Sequence, residues 1–295
     1  MWIFLILLYG IFKGFREALK KKAMETRSVA EVLFFYTLFA FALVIPFSSG
    51  IFSLSWRAHI IIFFKSFAIF IAWICALNSI KKLPLSVYCI ADMGRMVFSI
   101  ILGIIVLNEA LFWTDLVGIA LVLTGILLVN VHLKKKAPTD NTLSGKILLL
   151  VLGSCILNAV SGTIDKWLLS THNAPKFFLG DEIVTSSQMQ FWYMLYLVTL
   201  YGIYLIAKRQ RVNFKANVKS PVIWTLSLLF IIADRALFIA NEDPNSTILG
   251  MTLLKQTSVI VTIILGRVLY KEKNIVYRIL CAILIICGIV VATVN

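Results

Sequence analysis

The chain has 295 residues, of which 60% are apolar or aromatic and only 14% charged. A soluble domain carries roughly a quarter charged residues, and one soluble core of this size cannot bury so much apolar surface, so the remainder must face lipid. A net charge of +14 would raise nucleic acid as a partner of a soluble protein, but here the basic residues cluster in short breaks between apolar stretches, the pattern that orients membrane proteins.

A spanning helix needs about 20 mostly apolar residues. By that measure the sequence predicts spans at 2–19, 29–46, 59–79, 84–107, 112–131, 147–169, 188–207, 221–240, 246–270 and 275–294. The first stretch has no basic region ahead of it. Lys20, Lys21 and Lys22 follow it rather than a small-residue cleavage site, so it is expected to be a retained helix and not a signal peptide. Lys13, Arg16 and Glu17 crowd its second half. The longest break, 132–146, holds Lys134, Lys135, Lys136 and Pro138 and is expected to join two halves.

Those halves repeat. Leu102-Gly103 to Glu109 matches Leu265-Gly266 to Glu272 at a shift of 163, which also pairs Gly125 with Gly288 and Asn78 with Asn241. The expected architecture is an all-α integral membrane protein of ten transmembrane helices in two five-helix repeats, 1–131 and 147–295. Charge gives their orientation. The odd-numbered loops hold eighteen basic residues and the even-numbered ones only Arg57 and Lys176. Odd loops are therefore expected in the cytoplasm and both termini outside. With five spans per half the repeats are inverted, an architecture common in secondary transporters.

The Leu-Gly to Glu turns, the glycines that follow them (Gly118, Gly125 and Gly288) and Asn158-x-x-x-Gly162-x-x-x-Lys166 resemble the drug/metabolite transporter superfamily, in its ten-helix EamA-type branch, over essentially the whole chain. The resemblance implies a basket of ten helices around a central cavity, alternating access, and export or import of metabolites, amino acids or drugs. Ten-helix members place their termini in the cytoplasm, whereas the charge count here places them outside. Small relatives use a glutamate in the middle of helix 1; the matching position is Gly10, and Asn158 in the second half, so their proton mechanism does not carry over.

Charges at membrane depth are costly and face a cavity or a partner. Asp92 and Arg95 lie mid-span, three residues apart on one helical face, with Ser99 and Gly103 continuing the stripe. The repeat aligns Asp92 with Lys255 and Ser99 with Thr262. These faces are expected to line a substrate site, Asp92 meeting an ammonium group and Arg95 or Lys255 a carboxylate or phosphate. The plain alternative is an internal salt bridge. Asp234 and Arg235 point about 100° apart and need partners on other helices. Trp73 and Asn78, with Gln188, Trp192 and Tyr193, are candidate cavity walls, the alternative for the aromatic residues being an interfacial belt. Lys13, Arg16, Lys65, Asp165 and Lys166 read equally as snorkelling or capping groups, and Glu31 as interfacial. Gly103 and Gly266 are expected to allow close helix packing.

The five cysteines and three histidines are scattered, and no phosphate loop, dinucleotide fingerprint or metal-ligand motif occurs. Neither cofactor nor enzymatic activity is expected. The reading is a cell-membrane secondary transporter of small polar metabolites such as amino acids or related zwitterions, with export as the favoured direction. Its partners are the lipid bilayer, a small-molecule substrate and a coupling proton carried by Asp92, Glu31 or Asp234. A flippase for lipid-linked substrates is the alternative, and a non-transport membrane protein a less favoured one.

Overall fold

The structure, a computed structural model, describes residues 1–48, 50–107, 113–136, 145–169, 182–209, 212–243, 246, 251, 254–272 and 274–291. Every regular element among them is helical: α1 (Trp2–Ala23), α2 (Val29–Val44), α3 (Trp56–Lys82), α4 (Leu85–Asp92), α5 (Arg95–Leu107), α6 (Trp113–Lys136), α7 (Gly145–Leu169), α8 (Ser186–Ala207), the short α9 (Phe214–Val218), α10 (Pro221–Glu242), α11 (Thr257–Tyr270) and α12 (Ile275–Val291), with single 3-10 turns at Ile45–Phe47 and Ile51–Ser53. Five helical stretches, Val29–Phe47, α3, α7, α8 and α10, are long and apolar enough to cross a membrane. Large apolar side chains such as Phe4, Phe64, Leu149 and Ile206 are exposed on their outer faces, which suits a lipid surround.

Local chemistry sets where the helices start. Ser28 caps α2 by accepting from the Glu31 N–H, and Ser55 caps α3 by accepting from the Ala58 N–H. Thr185 and Gln188 form a reciprocal capping box at the start of α8. Pro84 precedes α4 and Pro221 opens α10, positions where the missing proline N–H costs nothing.

One predicted span is corrected. The stretch 84–107 was expected as one helix, but it breaks at Met93-Gly94, where successive N–H groups bond three residues back instead of four. Gly94 and the polar Asp92 and Arg95 are poor continuing residues in an apolar helix. A matching interruption lies at Gln256, a turn between helical residues 254–255 and α11. The two breaks touch, with Gln256 Nε2 3.6 Å from Met96 Sδ.

The helices pack across the chain rather than along it. The α1 helix lies against α10 and α11, α3 against α7 and α8, α2 against α8 and α10, α5 against α7, and α6 against α12. Counting α4–α5 as one stretch and leaving aside α9, exchanging each stretch for the one five places along leaves this set of pairings unchanged. Close approach relies on glycine. A Cβ at Gly14 would stand 2.7 Å from Val261 Cβ and 2.9 Å from the Ser258 carbonyl, and one at Gly10 would stand 3.2 Å from Thr257 Cβ. Gly10 thus packs on α11 and is not a cavity position.

Glu272, in the turn after α11, ties that turn to the start of α4. Its carboxylate accepts from the Leu85 N–H at 2.6 Å and from Ser86, and it pairs with Arg278. It also seats over Gly266, where a Cβ would lie 3.1 Å from Glu272 Oε2. Gly266 thus makes room for the Glu272 carboxylate, where close packing against another helix was expected. Glu109 and the side-chain environment of Gly103 lie outside the described residues.

Candidate substrate cavity

A cavity of about 140 Å³ lies between α1, α3, the α4–α5 break, α7, α8, α10 and the residues before α11. Its walls carry six cations, Lys13, Arg16, Lys20, Lys65, Arg95 and Lys255, and four carboxylates, Glu17, Asp92, Asp165 and Asp234. Four of these ten groups come from α1, where Lys13, Arg16, Glu17 and Lys20 recur at helical spacing on one buried face.

Each carboxylate has a cation. Arg16 Nη1 donates to Asp234 Oδ1 at 3.1 Å, and Lys20 Nζ donates to Glu17 Oε1 at 2.8 Å. Lys65, only 1% exposed, pairs with Asp165. Its ammonium also sits 4.0 Å from the Tyr193 ring centroid and 4.6 Å from that of Phe238, so ring faces supplement the ion pair. Asp92 is shared: Lys13 Nζ and Arg95 Nη1 both stand 3.6 Å from Asp92 Oδ2. Among the described residues Lys255 has no carboxylate within ion-pair distance; its ammonium lies 5.9 Å from the Tyr9 ring.

Of the residues expected to line a site, Asp92, Arg95, Ser99, Lys255, Trp73, Tyr193 and Asp234 face this cavity. Asn78, Trp192 and Arg235 are placed elsewhere. Asn78 Nδ2 donates to the Ile74 carbonyl of its own helix, and Trp192 Nε1 donates to the Ile51 carbonyl. Arg235 donates to Ser187 Oγ at 2.7 Å and lines a separate apolar groove of about 460 Å³. Gln188 closes the α8 cap and bonds the Gly50 carbonyl. Glu31 accepts from Asn217 at the start of α2, apart from the cavity.

Lys13, Arg16, Lys65 and Asp165, which sequence position left open to snorkelling or capping, are cavity groups. For Lys13 and Arg16 the helical spacing on α1 was the available signal; the partners of all four, dozens to hundreds of residues away, were not visible. Lys166 instead bonds Ser246 and the Asn241 carbonyl. Asn158 lines the cavity, as does Gly162, where a Cβ would meet nothing within 4 Å. Among the described residues no cluster of metal-ligating side chains occurs.

A bundle of apolar helices thus encloses a strongly charged internal cavity. Residues 1–131 match the model of the EamA-like transporter family, so the resemblance to the drug/metabolite transporter superfamily holds over that part of the chain. Those residues are thus similar to membrane transporters of the drug/metabolite type. A solved structure described only as "Crystal structure of protein" is 12% identical and aligns over 98% of this chain and 96% of its own, with a TM-score of 0.66. At that identity the likeness is one of fold. No curated protein matches the chain.

Proposed function

We propose that this protein is a secondary transporter that carries small polar metabolites through the charged cavity by alternating access. The observation that carries this reading is the walling of one buried polar space by elements from both parts of the chain: α1, α3, α4 and α5 on one side, and α7, α8, α10 and Lys255 on the other. Four ion pairs or clusters held away from water are costly as mere scaffolding. They suit a site whose charges exchange partners as substrate enters and leaves.

The reading includes ten spans in two inverted five-helix repeats. The exchange-invariant helix pairing supports it, as do the touching breaks at Met93-Gly94 and Gln256. Broken helices at membrane depth are where such transporters hold polar cargo. A volume of about 140 Å³ is below the ~300–1,000 Å³ of drug-sized pockets, which favours metabolites of a few carbons. Export is the proposed direction. A coupling proton would use Asp92 or Asp234, since Glu31 stands apart from the cavity.

Substrate flux in reconstituted vesicles tests this. Asp92→Asn is expected to cut turnover at least about tenfold, because Lys13 and Arg95 lose the carboxylate they return to between cycles. Wild-type turnover in that variant would sink the reading. The lipid-linked alternative rests on the apolar groove beside Arg235, lined by Leu5, Leu8, Val44 and Phe47. It requires Arg235→Gln, and not Asp92→Asn, to abolish movement.

A further inference from the structure

The charge of the cavity is uneven, and the unevenness has a location. Arg16 with Asp234, Lys20 with Glu17, and Lys65 with Asp165 are matched one to one. The remaining wall groups are three cations, Lys13, Arg95 and Lys255, and a single carboxylate, Asp92. Lys13 and Arg95 approach the same Asp92 oxygen at 3.6 Å, neither at close contact distance. Lys255 lies within electrostatic reach of both, and the one nearby carboxylate besides Asp92, that of Asp165, is taken by Lys65. Among the described residues, two basic side chains of this wall are thus left without a carboxylate of their own.

We infer that the substrate of the proposed transport cycle is a small organic dianion, a dicarboxylate or a phosphate monoester, bound between Lys13, Arg95 and Lys255. This rests on the transport reading and narrows it. A zwitterion would leave the excess of two positive charges in place, and its ammonium group would have to displace Lys13 and Arg95 from Asp92. A cation would increase the excess. A dianion cancels it, with the guanidinium offering two parallel donors and each ammonium a point charge. Trp73 and Tyr193 bound the rest of the space, so an attached carbon skeleton is accommodated where free inorganic phosphate would leave the wall unfilled.

Equilibrium binding and vesicle uptake should be measured separately on the full chain, with succinate, glycerol 3-phosphate, serine and choline as probes. The expected result is saturable binding of succinate or glycerol 3-phosphate, weakened about tenfold or more in Lys255→Gln. That substitution orphans no carboxylate, so the fold is expected to survive it. Asp92→Asn is expected to tighten dianion binding severalfold even as turnover falls, the opposite sign to a role in holding an ammonium group. The arm that binds, succinate or glycerol 3-phosphate, names the source of the charge. Binding of serine or choline with no dianion binding overturns the inference and leaves transport standing. Dianion binding that depends on Lys255 but is never followed by uptake overturns the transport reading and leaves the site standing. Dianion binding unchanged in Lys255→Gln overturns the placement of the site.

Discussion

Lys65 shows how a charged side chain persists inside this protein. Read in sequence, it stands about one turn inside an apolar stretch and could reach the interface. Its neighbours turn it inward, onto Asp165 and between the rings of Tyr193 and Phe238. Removing one member of a buried pair strands the other. Lys65→Met is therefore expected to destabilise the protein by about 3–5 kcal/mol, whereas replacing both partners by apolar residues of similar volume is expected to be near neutral. Thermal unfolding in detergent of Lys65→Met, Asp165→Leu and the double variant checks this. Single variants melting like wild type would mean that the pair is already solvated. Asp92 and Arg95 were legible in the sequence because three-residue spacing on a helix forces proximity. Lys13, the second cation on Asp92, was not, because it lies 79 positions upstream. Tertiary contact alone makes that neighbour.

At the scale of elements, α1 works on two faces. One carries the cavity charges, and the other is thinned by Gly10 and Gly14 so that α11 can approach. Gly14→Ala would press a methyl group against Val261 and the Ser258 carbonyl; backbone cannot yield as a side chain end can. A loss of about 1–3 kcal/mol is expected, the usual cost of overpacking. Gly162→Ala, facing open cavity space, is expected to leave the melting temperature unchanged. Equal stability of the two variants would contradict the close α1–α11 approach. The breaks in the fourth and ninth stretches illustrate what hydropathy misses. Average apolarity over 84–107 reads through Asp92-Met93-Gly94-Arg95, since a few polar residues barely change a window mean. The helix is interrupted there, where Asp92 finds a partner off the helix in Lys13.

For the whole molecule, the basic loops supply a test of orientation. Residues near 81–83 and 208–209 are expected to face the cytoplasm, and residues 51–53 the opposite side. Single cysteines introduced there, in a chain otherwise free of cysteine, should react with an impermeant maleimide from opposite sides of the membrane. Labelling of both sets from one side would overturn the charge-based topology. The ties at the two ends differ in kind. Glu272 with Arg278 and Ser86 closes the basic end, while Ser55 with Glu182, and Gln188 with Gly50, join the other. The proposed alternating-access cycle requires each set to open in turn.

The sequence by itself determined that the chain is helical and membrane-embedded, where its apolar stretches lie, which loops are basic, and that Asp92 and Arg95 share a face. These follow from composition and short-range periodicity, which need no knowledge of distant contacts. Only the tertiary structure decided which charges meet. Arg16 reaches Asp234 across 218 positions, Lys65 reaches Asp165, and Lys255 is left over. Partner choice among buried charges depends on how helices far apart in the chain pack against one another, and no local pattern encodes that packing.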